Sequence, residues 1–194
     1  LDLSGPGNYV DIPNSSTLQS AHLTVAYWAR FNSAHNPVIA TKATDAANAW
    51  QANVTSFDLV SQNVQFCSAA GATGQCFYSP TITPSPTGRW MHVVQTYDGA
   101  EVRQYVDGQL VNTATAAYRP DLVSTPIRLG AAFVAGYDFD GLLDEVRIYD
   151  TALDATEVAA LYGEGWANSC LAGTYLEGPG GACVPAALGK FVPN

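Results

Sequence analysis

The chain has 194 residues and a net charge of −9, with lysine only at Lys42 and Lys190. That balance argues against a protein that grips nucleic acid or an anionic membrane surface, and it is compatible with cation binding. Charged residues make up 13% of the sequence beside 17 glycines, 11 prolines and 10 tyrosines, which predicts many short strands and turns. No apolar run approaches the roughly 18 residues that cross a bilayer as a helix, so direct membrane insertion is not expected. Residues 1–12 read as a strand rather than a signal peptide, and any targeting segment is expected to have been removed or to lie outside this sequence.

In chain order, strands are expected at 9–12, 23–31, 38–41, 50–54, 57–60, 64–67 and 76–78. Pro80, Pro84 and Pro86 mark a break before the next strand at 90–97. Two Asp-Gly pairs, Asp98-Gly99 and Asp107-Gly108, then punctuate an antiparallel meander through 100–106 and 109–111. A strand follows at 127–129 and another at 139–149. Immediately after it comes a helix: Asp154 supplies an N-cap, Glu157 completes a capping box, and Val158, Leu161 and Tyr162 form an apolar stripe before Gly163, where the helix is expected to end. One helix among so many strands indicates an all-β fold, a two-sheet antiparallel jelly-roll sandwich with a small disulfide-stapled tail.

The four cysteines fall as two local pairs, Cys67 with Cys76 and Cys170 with Cys183. Three pairings are open to four cysteines, and local pairing is the economical one because residues 68–75 read as a hairpin tip. Neither pair has the spacing of a zinc or thioredoxin motif, and disulfides point to an oxidising, extracellular compartment. Asn14 and Asn53 open N-glycosylation sequons, Asn-Ser-Ser and Asn-Val-Thr, which agree with secretion.

In the strand at 139–149, strict alternation places Leu142, Asp144, Val146 and Ile148 on one face and Leu143, Glu145, Arg147 and Tyr149 on the other. Asp144 thereby enters an apolar row, where a carboxylate needs a hydrogen-bond donor, a counter-charge or a cation, while Glu145 and Arg147 pair in solvent. Asp138, Asp140 and Asp144 form the densest acidic cluster, an oxygen-rich set of the kind calcium accepts. Phe133 and Tyr137 precede that cluster closely, and aromatic faces beside Asp138 and Asp140 suit a sugar or peptide ligand. Trp50 and Tyr118 are candidates to extend that surface, and Trp28 and Trp90 read as core anchors.

A catalytic reading finds little to build on. Glycoside hydrolysis needs two spaced carboxylates, and Asp144 and Glu145 point to opposite faces. There is no Gly-x-Ser-x-Gly and no phosphate-cradling loop, the cysteines are expected to be oxidised, and His22, His35 and His92 are isolated in sequence.

Six stretches, at 8–13, 23–28, 90–94, 97–99, 105–108 and 139–149, occur in an order that resembles the laminin G-like branch of the concanavalin A-like lectin/glucanase superfamily, to which the pentraxins are related. The resemblance spans residues 1–163 and implies a jelly roll used in extracellular recognition, often with calcium. The glucanases of this fold commonly carry Glu-x-Asp-x-Glu on one strand, and that string is absent. Ser4-Gly5 stands where relatives often have Asp-Gly, and Asn8 where they often have aspartate. The resemblance implies a calcium ion held by Asp144 with oxygens from Ser4 and from the loop containing Lys42 and Asp45. Residues 164–194 are similar to the opening of the cysteine-rich repeats of ephrin-receptor and tumour-necrosis-factor-receptor ectodomains, with Ala186 where another cysteine is usual. The expected function is a non-catalytic extracellular recognition or adhesion module for a glycan or glycoprotein, part of a larger surface or matrix protein. The alternatives are a self-associating structural subunit of a filament or matrix, and a divergent glycan-cleaving enzyme.

Overall fold

A computed structural model describes residues 1–5, 7–18, 20–32, 38–41, 54–58, 62–70, 73–85, 87–116, 124–132, 138–168, 174–176 and 183–185. The strands in chain order are β1 (Val10–Ile12), β2 (Leu23–Phe31), β3 (Val38–Thr41), β4 (Val54–Asp58), β5 (Asn63–Ala70), β6 (Thr73–Tyr78), β7 (Trp90–Tyr97), β8 (Glu101–Val106), β9 (Gln109–Thr115), β10 (Ile127–Leu129) and β11 (Gly141–Tyr149). Helix α1 (Ala155–Asn168) follows, and the short strands β12 (Thr174–Leu176) and β13 (Cys183–Pro185) pair with each other. One sheet has the order β1-β10-β3-β4-β5-β6 and the other β11-β2-β7-β8-β9, every pairing antiparallel. This is the expected jelly-roll sandwich.

Alternation along the strands builds the core. Val25, Tyr27, Ala29 and Phe31 of β2 face inward with Met91 and Val93 of β7, and meet Ile39, Val64, Ile127 and Leu129 of the opposite sheet. Two inward positions are polar: Gln95 donates to Gln65 O at 2.9 Å, and Gln104 donates to Val64 O at 3.1 Å while accepting from Asn112. These side chains tie one sheet to the backbone of the other.

Several expectations need correction. The break expected between residues 54 and 57 is absent: β4 runs continuously through Val54–Asp58, its backbone paired with Cys67 through Asn63, while residues 50–53 and 59–60 lie outside the described residues. Helix α1 does not stop at Gly163. It continues to Asn168. A single interior glycine costs a helix only about 1 kcal/mol against alanine, too little to end one that packs on a sheet. Trp28 is buried, but on the outer face of its sheet rather than between the sheets, and Trp90 is half-buried.

The reversal in β11 matters most. Asp144 pairs with Trp28 and Arg147 with Ala26, so three steps along β11 match two along β2. The extra residue is a β-bulge at Glu145, whose φ is 47°. Ahead of the bulge Leu143 is inward and fully buried and Asp144 is exposed; beyond it Val146 and Ile148 pack on the core. The expected inward row held from Val146 onward and was inverted for Leu142, Leu143 and Asp144.

Helix α1 forms a third layer. Its N-terminus has the expected capping box: Asp154 Oδ1 accepts from the N–H groups of Thr156 and Glu157, and Glu157 accepts from the Asp154 N–H at 2.8 Å. Leu153 and Val158 pack on Ala26, Val94 and Tyr105, which buries the outer as well as the inner face of β2. Thr24 Oγ1 donates to Thr151 O and accepts from Leu153 N–H, pinning the helix entry to the sheet. Further along, Tyr162 stacks on Trp28 at 5.6 Å, with the His92 ring 5.0 Å from Trp28 and 5.8 Å from Tyr162. Burial, with a smaller push from the Arg147 charge, lowers the His92 pKa to about 4.

Cys67 and Cys76 occupy directly opposed positions on β5 and β6 and are joined by a disulfide. The enclosed loop is short, so the double variant Cys67→Ser/Cys76→Ser is expected to lose about 2–3 kcal/mol in chemical denaturation. His92 sets an independent pH response. The unfolded histidine takes up its proton near pH 6.5 and the folded one near pH 4, so the unfolded chain binds more protons between those values. Its contribution to stability is therefore complete above pH 6.5 and is lost as pH falls toward 4, by up to about 3 kcal/mol. Denaturation midpoints measured across this window should fall with pH in the native chain and fall less steeply in His92→Phe; parallel slopes would remove His92 from the response.

Candidate functional site

The antiparallel register brings one set of connections to one end of the sandwich. The end of β2, the start of β7, the β8–β9 turn and the start of β11 meet there, joined by the segments following β6 and β10. Asp107 (φ 49°) and Gly108 (φ 75°) form the two-residue turn between β8 and β9 that Asp-Gly predicts, a geometry whose positive φ values suit these residue types. Gly141 opens β11 where a Cβ would lie 2.1 Å from the Arg30 carbonyl oxygen, so only glycine allows the close approach of β11 to β2.

At one corner of this end the N-terminal segment runs along β11. Asp2 bridges to Leu142, and Leu3 N–H donates to Gly141 O. Asp140 Oδ1 accepts from Gly5 N–H at 3.1 Å and from Asn32 at 3.5 Å, and Asn32 also donates to Ser4 Oγ. Ser4 donates through hydroxyl and amide to Asp2, which holds that carboxyl below its ordinary value. The fold thus brings Ser4 and Asp140 together with Asp2 and Asn32, two residues that the sequence analysis did not select.

Asp144 stands apart from this corner. It lies four residues beyond Asp140 on β11, about 13 Å at the usual rise, whereas oxygens sharing a calcium ion each lie about 2.4 Å from it. Its carboxylate is exposed and accepts from Glu145 N–H. The inward orientation expected of Asp144 is absent, because the strand carries a bulge at Glu145 and Asp144 faces outward ahead of it. Among the described residues no group of three or more histidine, cysteine or acidic side chains is placed to hold a metal. Lys42 and Asp45 lie outside the described residues.

Of the proposed ligand-binding residues, Asp138 and Asp140 are half-buried, with Asp138 bridged to Ala131, and Phe133 and Tyr137 lie outside the described residues. Phe139 between the two aspartates is fully buried, edge-on to Phe31, which anchors this segment in the core. Asn14 is half-buried beside the single turn Ser16–Leu18, while Asn53, Trp50, Tyr118 and Cys170 lie outside the described residues. Cys183 opens β13 opposite Leu176.

On the far side of the same end, Arg89 and Asp107 form an ion pair at 3.0 Å, and Asp107 Oδ1 accepts from His92 N–H at 2.9 Å. On β11, Glu145 is engaged by Arg147 through two nitrogens, and Arg147 also reaches Glu164 of α1. The guanidinium pKa rises further for the same reason, its hydrogen bonds to Glu164 and Glu145. Glu145 is thus part of a structural clamp rather than a free acid or base.

The model of the concanavalin A-like lectin/glucanases superfamily matches residues 4–159. No curated protein sequence matches the chain. Among solved structures, the binding domain of Paraclostridial Mosquitocidal Protein 1 superposes with a TM-score of 0.66 at 13% identity, over 85% of this chain and 43% of that one. Domain 4 of AbnA, an extracellular arabinanase of Geobacillus stearothermophilus, in complex with arabinotriose, gives 0.61 at 20% identity, over 79% and 72%. The heptameric SAP-like pentraxin of Limulus polyphemus gives 0.59 at 15% identity, over 79% and 81%. The chain spans less than half of the mosquitocidal and botulinum type G binding domains, and at these identities the likeness is one of fold. With the sandwich, its strand order and a family match over most of the sequence in agreement, the chain belongs to the concanavalin A-like lectin/glucanase superfamily in its laminin G-like branch.

Proposed function

We propose that the chain is a non-catalytic extracellular recognition module that binds a glycan or glycoprotein through the loop end of its sandwich, as one part of a larger surface or matrix protein. The observation that carries this reading is the gathering of solvent-facing polar side chains, Asn32, Asp140, Arg89 and Asp107, at one end of a lectin-type sandwich. Neighbours in fold support it by their own descriptions: one is held in complex with arabinotriose, and others are receptor-binding domains. The Cys67–Cys76 disulfide supports an oxidising compartment, and no helix among the described residues is long and apolar enough to cross a membrane. The non-catalytic reading is supported by Asp144, which faces solvent with Trp28 as its strand partner, and by Glu145, which is bound to Arg147.

A glycan array combined with light scattering tests this. Specific sugar binding by a monomer is expected; ordered self-association without sugar binding would replace recognition by a structural-subunit role, and turnover of an oligosaccharide lost on replacing one carboxylate would make the chain an enzyme.

Calcium enters this proposal at the Ser4–Asp140 corner, where Asp2 and Asp140 supply carboxylate oxygens. A ligand of the native state alone raises its stability by mass action, so saturating calcium should raise Tm and chelator lower it. Asp140→Asn should abolish the response and Asp144→Asn preserve it. Identical melting curves with calcium and with chelator would remove the ion from the proposal.

A further inference from the structure

Between the segment that follows β6 and the β8–β9 turn lies an open cleft of about 370 Å³. Ile82, Val106 and Val111 supply apolar lining, and Ile82 and Val106 belong to the main core. Pro84 and the exposed residues Thr81 and Thr83 form the wall contributed by the β6–β7 connection. Arg89 and Asp107 line it as well. None of these eight residues was selected by sequence reasoning as a ligand contact, because they come from three segments that only the fold brings together.

The ion pair is fixed before any ligand arrives. Arg89 donates to Asp107 Oδ2 at 3.0 Å, to Trp90 O at 3.3 Å and to Pro84 O at 3.4 Å, so it is held by its own strand, by the turn and by the cleft wall. Asp107 is held by the His92 N–H and by the reciprocal bond from its own N–H to His92 O. Yet both side chains keep about a third of their surface open, 31% and 30%. A pinned but accessible donor and acceptor, side by side, is a preorganised polar element whose ordering cost is met in folding rather than in binding.

Its chemistry selects among ligands. An anion gains little at a guanidinium already neutralised at 3.0 Å, in a chain of net charge −9, and a cation meets Arg89 beside Asp107. A hydroxyl both donates and accepts. Two neighbouring hydroxyls on one ring can engage Asp107 and Arg89 together, while threonine hydroxyls serve in either sense and the apolar lining packs against ring C–H groups. The volume lies toward the small end of ligand sites, which suits one or two rings rather than a long chain. We propose that this cleft binds a neutral saccharide unit through the Arg89–Asp107 pair; the proposal rests on the glycan-recognition reading and gives that reading a place and a ligand class.

The test is amide chemical-shift mapping of the full chain with neutral gluco-, galacto-, xylo- and arabino-trisaccharides, with a sialylated trisaccharide and a uronic acid trimer as charged comparisons. A neutral sugar should shift the amides of Thr81, Thr83, Arg89 and Val111. Thr81→Phe, which fills the cleft from an exposed position, and Asp107→Asn, which retains a side chain suited to positive φ, should each weaken binding about tenfold or more. Melting curves of both variants report whether they fold, and Thr81→Phe leaves the ion pair itself intact. Neutral sugars that bind with shifts around Asp138 and Asp140, and equally well to Thr81→Phe, would overturn the cleft while leaving glycan recognition standing. Stronger binding of the charged sugars would overturn the neutral ligand class, and a folded chain that binds none of these sugars would overturn both.

Discussion

The bulge at Glu145 is the constraint on which the two sides of this molecule depend. One extra residue in β11 lets Leu143 enter the core ahead of it and Val146 and Ile148 enter after it, so the strand buries apolar side chains along its length although its sequence does not alternate throughout. The same displacement turns Arg147 and Tyr149 outward together. Tyr149 then packs with Leu153 and Val158, and Arg147 bridges Glu145 to Glu164 of the helix. Straightening the strand would keep either the core contacts or the helix contacts, but not both, because a shift of one residue moves every later side chain to the other face.

What covers the outer face of the five-stranded sheet follows from this. In a two-layer sandwich, Thr24, Ala26 and Trp28 would face water; here they are buried, because the chain returns over them after β11. Thr24 shows how tightly the return is specified: its one hydroxyl serves Thr151 O and Leu153 N–H, two backbone groups that have left the sheet and not yet entered the helix. The Trp28–His92–Tyr162 cluster extends that cover toward the loop end, where the Tyr162 ring lies so near Gly108 that a Cβ there would be 3.0 Å away. The helix therefore buttresses the β8–β9 turn that presents Asp107.

Much of the fold was legible because local signals and tertiary packing agree. The Asp-Gly turn at Asp107, the capping box at Asp154 and the apolar alternation of β2 each state in a few residues what the structure does with them. The inversion at Asp144 was not legible, since a bulge adds a residue without a composition signal and Glu145 is not a residue type that advertises positive φ. Nor did Gln95 and Gln104 announce themselves: their partners, Gln65 and Val64 carbonyls, lie some 30 and 40 positions away, and only the facing of the sheets creates the need for them. Gly163 misled for the opposite reason, a strong local stop signal standing inside a helix that runs on to Asn168.

The candidate site was half legible for a related reason. Asp138 and Asp140 stand in one motif and can be read as a group, whereas Arg89 and Asp107 are separated by a whole hairpin and become neighbours only through the register of β7 on β8. That register is itself secured by the core, through Val93 opposite Val106, both buried. A polar pair placed by core packing is held more rigidly than one carried on a long loop, and rigidity is what recognition of small polar ligands requires. The division of labour in this sandwich is thus physical: the apolar strands determine where the turns meet, and the turns need contribute only a few side chains to make a surface that can discriminate.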